Sequence, residues 1–126
     1  MINLGNQIEY WINTAKSDLD TAELLIRESR YIHGLFFCHL AIEKGLKAHV
    51  VKATGKIPPK SHNLIHLLDL SKIEFGESNE DFLGILMKYQ LEGRYPDYNP
   101  VIPAKEKVFD YMNKTKEMLI WLERKL

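Results

Sequence analysis

The sequence predicts one all-α domain over residues 1–126, an up-and-down antiparallel bundle of four to five helices. Three observations carry that prediction. Apolar residues recur at steps of three and four in every long segment, the period of a helix face, and no segment alternates like a strand. The breaks between segments are brief, at Glu28–Tyr31, Thr54–Ser61, Phe75–Ser78 and Arg94–Pro103, and short connections favour antiparallel neighbours. Apolar residues make up 45% of the chain and charged residues 27%, a balance that supports a single packed core without disulfides.

The first segment places Ile8, Ile12, Ala15, Leu19, Ala22 and Ile26 on one face, with Lys16, Asp18 and Glu23 outside it. The last segment repeats the design with Val108, Met112, Thr115, Leu119 and Leu122, and Pro103 suits its first turn, where a missing N–H costs nothing. The second segment, Tyr31 to Ala53, differs. One stripe carries Leu35, His39, Ile42, Leu46 and Val50, while Phe36, Phe37, Leu40 and Ala41 occupy the far side of its first half. A helix apolar on both sides is covered on both sides, so it lies at the bundle centre or meets a second subunit. Gly55 supplies a left-handed stop and Pro58-Pro59 blocks continuation. Ser61 can cap a short third helix, His62 to Leu70. Ser78 or Asn79 can cap a fourth, running through Phe82, Ile85, Leu86 and Tyr89.

Composition excludes several classes. No run of 18 apolar residues is present, so no membrane span is expected. Met1 to Tyr10 lacks the basic start and apolar stretch of a signal peptide, which points to a cytoplasmic address. A lone cysteine, Cys38, rules out an internal disulfide and a multi-cysteine metal site, and it reads as a buried structural thiol. With 17 Lys+Arg against 17 Asp+Glu, no global field favours nucleic acid. Charge is nevertheless uneven. From Ala41 to His66 the bases Lys44, Lys47, Lys52, Lys56 and Lys60 face one acid, Glu43, and from Leu67 to Asn99 acids predominate. The basic stretch is either a solvated face or a local phosphate holder.

The candidate site is Arg94-Tyr95-Pro96-Asp97 with Tyr98, an amphipathic loop suited to a planar, charged ligand. The competing reading is a plain helix end, with Arg94 on the last carbonyls and Pro96 as the stop. Lys60 and His62 can bring positive charge to the same end of the bundle, and Lys44 and Lys47 lie on one side of the second helix as further phosphate ligands. Glu43 and Lys47 are also spaced for an i,i+4 pair. His39 and His49 fall on the buried stripe and read as core histidines. His62 and His66 share a helix face, but no third ligand has matching spacing, so neither a metal nor another cofactor is expected. Trp11 and Trp121 read as core or interface anchors.

Two stretches, taken with this helix order, resemble the HEPN family. One is Phe37-Cys38-His39-Leu40-Ala41-Ile42-Glu43-Lys44-Gly45-Leu46-Lys47-Ala48 followed by Pro59-Lys60-Ser61-His62-Asn63-Leu64; the other is Gly93-Arg94-Tyr95-Pro96-Asp97, placed at the end of the fourth helix. The opening Ala15-Lys16-Ser17-Asp18-Leu19-Asp20-Thr21-Ala22 extends the likeness over nearly the whole chain. The resemblance implies a homodimer, often made beside a minimal nucleotidyltransferase in toxin–antitoxin-like pairs. Many such proteins are metal-independent ribonucleases that use an arginine followed four to six residues later by a histidine. Here Arg94 is followed by Tyr95-Pro96-Asp97-Tyr98-Asn99-Pro100-Val101, and no histidine occurs after His66. The expectation is therefore a nucleotide- or RNA-facing binding module. The alternative is a ribonuclease with a degenerate motif centred on Arg94, with Asp97 as the other catalytic candidate.

Overall fold

Caps and left-handed turns divide the chain into helices, and the computed structural model describes residues 3–126. Met1 and Ile2, the first two residues of the stretch read against a signal peptide, lie outside the described residues. The helices are α1 (Leu4–Arg27), α2 (Tyr31–Thr54), α3 (Leu64–Ser71), α4 (Glu77–Met87) and α5 (Lys105–Arg124), with no strand among the described residues. None is long and apolar enough to cross a membrane.

Asn3 opens α1 by accepting a hydrogen bond from the Asn6 N–H at 3.0 Å. Ser29, at φ 62°, turns the chain, and the Arg30 N–H donates to the Leu25 carbonyl at 2.8 Å. The turn is tight enough that a Cβ on Gly34 would stand 2.5 Å from Cγ1 of Ile26, so the start of α2 needs a residue without a side chain. The doubly apolar α2 lies at the bundle centre, with α1, α3, α4 and α5 all packed on it. Leu35, Ile42 and Leu46 have no exposure, and truncating any of them costs about 2–5 kcal/mol. Phe36 and Phe37 stay half-buried, edge to face at 5.7 Å. α2 ends at Gly55, at φ 69°.

Register pairs give the directions. Lys44 of α2 meets Asp18 of α1 at 2.6 Å, while Glu123 and Lys116 of α5 meet Lys16 at 3.0 Å and Glu23 at 3.3 Å, so α1 runs antiparallel to both. Between α2 and α5 the order is Cys38 with Met112 at 3.7 Å, then the His49 ring with the Leu122 carbonyl at 2.7 Å, so these two run parallel. A parallel pair needs a return path. The excursion through α3 and α4 and the irregular segment after Met87 provide it, and that segment carries Arg94.

Four local expectations are corrected. Asn63, not Ser61, caps α3: its side chain accepts from the His66 N–H at 3.1 Å, and Ser61 instead accepts from the Asn63 N–H. α4 starts at Glu77 after Gly76, because the Asn79 side chain is spent on the Phe75 carbonyl at 2.9 Å and Glu77 and Glu80 complement the helix N-terminus. It ends at Met87, where the amides of Lys88 and Tyr89 switch to i−3 partners, so Tyr89 follows the helix and Arg94 lies seven residues beyond it. α5 starts at Lys105, which leaves Pro103 just before the helix instead of in its first turn.

Candidate functional site

Arg94 is held in place by its own segment. Gly93 takes φ 74°, and the Arg94 Nε then donates to the Gln90 carbonyl at 3.1 Å. The guanidinium lies over the Tyr98 ring, 4.3 Å from its centroid. Tyr98 is pinned in turn, its hydroxyl donating to the Lys88 carbonyl and its N–H to the Tyr95 carbonyl at 2.9 Å. No carboxylate pairs with Arg94 among the described residues; Asp97, three residues on, is exposed and bonds to neither it nor a lysine. Tyr95 is 83% exposed. Gly93, Arg94, Tyr95, Asp97, Tyr98 and Asn99 line an open cleft of about 450 Å³. A flat, anchored guanidinium without a counter-ion is a fork for a phosphate, and the Tyr95 ring offers a face for a base.

The other expected phosphate ligands divide. Lys44 is committed to Asp18 at 2.6 Å. Lys47 is buried, 3.1 Å from Glu43 and over the Trp11 ring. Lys60 is exposed. His62 does reach the Arg94 segment: its Nδ1 lies 2.9 Å from Oε1 of Glu43 and its Nε2 lies 3.4 Å from Oε2 of Glu92, two residues before Arg94. The His39 ring nitrogen Nε2, 3.0 Å from the His62 carbonyl, fixes the backbone there.

Glu43 is therefore the hub of a polar cluster inside an apolar bundle, with its side chain only 3% exposed. Sequence reasoning saw the i,i+4 spacing of Glu43 and Lys47 but missed that both are buried, and it counted Glu92 among the acids of its segment without a place at the site. A usable signal existed: Glu43 directly follows Ile42 of the central stripe, where an acid without partners is costly. Burial, the largest influence, pulls His39 down from 6.5 to about 4, although Glu43 favours its charged form, so the ring is neutral. Its Nδ1 sits 3.8 Å from Glu43, beyond hydrogen-bond reach.

The core histidine and cysteine readings match the burial. His49 is 4% exposed, and burial lowers its pKa. Cys38 has no exposure, and burial pushes its thiol up to about 12, which leaves no thiolate for chemistry. Among the described residues no three His, Cys, Asp or Glu side chains cluster in a way that could hold a metal ion. Trp121 is half-buried against Phe75 and lines a cavity of about 480 Å³ with His49, Lys52 and Lys125. That cavity slightly exceeds the Arg94 cleft, but its cations are occupied. Lys52 donates to the carbonyls of Lys125 and Leu126 at 2.9 Å, and Lys125 rests over the Trp121 ring.

Fold and site together define an all-α bundle in which the return between two parallel helices presents a stacked arginine. Residues 8–125 match the sequence pattern of the HEPN domain, and the chain belongs to that family. TT1696 from Thermus thermophilus, known from a crystal structure, is similar at a TM-score of 0.78 and 24% identity, covering 96% of this chain and 99% of that one. ST0689, described as an archaeal HEPN homologue, is similar at a TM-score of 0.63 and 19% identity, covering 94% and 96%. Both likenesses are likenesses of fold. A search of curated proteins found no match.

Proposed function

We propose that this HEPN chain is a nucleotide- or RNA-facing binding module, with Arg94 gripping a phosphate and Tyr95 stacking on a base. The supporting observation is the state of Arg94: oriented by Gln90 and Tyr98, yet without a carboxylate partner, while Lys44 and Lys47 are spent inside the bundle. The proposal extends to a homodimer that works with a minimal nucleotidyltransferase in a toxin–antitoxin-like pair, as the family resemblance suggests. Half-buried Phe36 and Phe37 on α2 offer apolar surface for self-association. A monomeric mass at micromolar concentration would contradict the dimer.

The module reading is tested by fluorescence anisotropy with a labelled single-stranded RNA at low salt. Wild type should bind, and Arg94→Ala should bind at least about tenfold more weakly, since removing one charge-assisted phosphate contact costs roughly 1.5–3 kcal/mol. Equal binding by both proteins overturns it. A second reading, a metal-independent ribonuclease, is favoured by one observation: His62 touches Glu92 and so brings an imidazole to the segment of Arg94. RNA cleavage in EDTA that is lost in both Arg94→Ala and His62→Gln would promote this reading over simple binding.

A further inference from the structure

The contact between His62 and Glu92 is built unlike the rest of its cluster. On its inner side His62 meets a buried carboxylate at 2.9 Å, and Lys47 braces that carboxylate from behind. On its outer side it meets Glu92 at a looser 3.4 Å, with the His62 side chain 42% exposed and that of Glu92 56% exposed. The imidazole is thus fixed at Nδ1 by Glu43 and at its backbone carbonyl by His39, while Nε2 faces a carboxylate that solvent reaches freely. An exposed pair of this kind is worth little, so another anion can displace it at small cost.

Glu92 and Arg94 sit two residues apart on the same return segment, and Arg94 has no anion of its own. We infer that Glu92 is a built-in stand-in for a ligand phosphate: it occupies the outer nitrogen of His62 in the free protein. A phosphate ester held by Arg94 displaces it and takes Arg94 and His62 together as a two-point clamp. This rests on the Arg94 site proposed above and adds to it a second anchoring residue and an internal competitor. With Nδ1 held against Glu43 at 2.9 Å, the solvent-facing Nε2 is the ring nitrogen left to meet a phosphate oxygen. The ligand class is a phosphate ester carrying a base, either the monoester of a free nucleotide or the diester of an RNA strand.

A double-mutant cycle tests this with AMP and with a short single-stranded RNA as separate probes. Removing the competitor by Glu92→Gln should tighten binding about fivefold, the worth of an exposed pair. His62→Gln, which can still bond to Glu43, should weaken it by a similar factor. The decisive outcome is the double variant, where Glu92→Gln should bring no gain because its effect passes through His62. Whichever probe shows the cycle names the ester. Urea unfolding of each variant checks folding, and Glu92 is exposed enough that its substitution is harmless. Unchanged affinity in Glu92→Gln, or the same gain in the His62→Gln background, overturns the clamp. If Arg94→Ala still weakens binding in that case, the module reading survives without it; if Arg94→Ala has no effect either, both fail.

Discussion

Replacing Lys47 by methionine probes the cluster that fixes His62. The substitution keeps the length and much of the packing on Trp11 but removes the ammonium 3.1 Å from Glu43. Glu43, whose side chain is 3% exposed, then keeps only His62 as a close partner at 2.9 Å. Breaking a buried pair from one side costs about 3–5 kcal/mol, and the remaining His62 contact argues for the lower end, about 3 kcal/mol. For a domain of this size that lowers the melting temperature by about 10 °C. Urea unfolding followed by circular dichroism at pH 7.5 reads the change directly. Adding Glu43→Gln should recover most of the loss, because a neutral amide can still accept from His62 and no unpaired charge stays buried. A Lys47→Met cost below about 1 kcal/mol, with no recovery in the double variant, would refute the reasoning by showing that this pair is solvated.

Three further outcomes follow from burial. His39 titrates at about 4 in the folded protein and near 6.5 when unfolded, so the unfolded chain takes the proton first as pH falls. Stability from this residue is full above pH 6.5 and drains away towards pH 4; at pH 5 the loss is about 2 kcal/mol, His49 adds to it in the same direction, and His39→Gln should flatten the profile. Gly34→Ala drives a methyl to 2.5 Å from Ile26 and should cost about 1–3 kcal/mol in urea unfolding. Cys38, with a thiol pushed up to about 12, should resist a disulfide reagent in the native protein and react within minutes in urea.

Much of the fold was legible because helix periodicity is a property of short windows. Ile12, Ala15, Leu19, Ala22 and Ile26 lie buried as the spacing predicts, and so do Val108, Met112, Thr115, Leu119 and Leu122. The two-sided apolar character of α2 matches its place at the bundle centre, although Phe36 and Phe37 on the far side stay half-buried. Helix ends were less legible, since Asn63, Ser61, Ser78 and Asn79 are all competent caps and only the path of the chain decides which side chain reaches which backbone group. The parallel run of α2 and α5 was hidden for a related reason: direction is set by how far the return segment travels, and composition does not carry that. At the site, Arg94 and Tyr98 were readable as a pair of residue types, but not their stacking. The cover of Lys47 by Trp11 and the meeting of His62 with Glu92 come from segments thirty or more residues apart in sequence, beyond any local pattern.

On the function proposed above, ligand meets this protein at Arg94 and Tyr95. Titrating isotope-labelled protein with AMP and following side-chain resonances tests it most directly. The Arg94 Nε–H and the Tyr95 ring signals should shift together and saturably, with His62 following. Shifts confined to the indole of Trp121, or none at all up to millimolar AMP and with RNA alike, would contradict it.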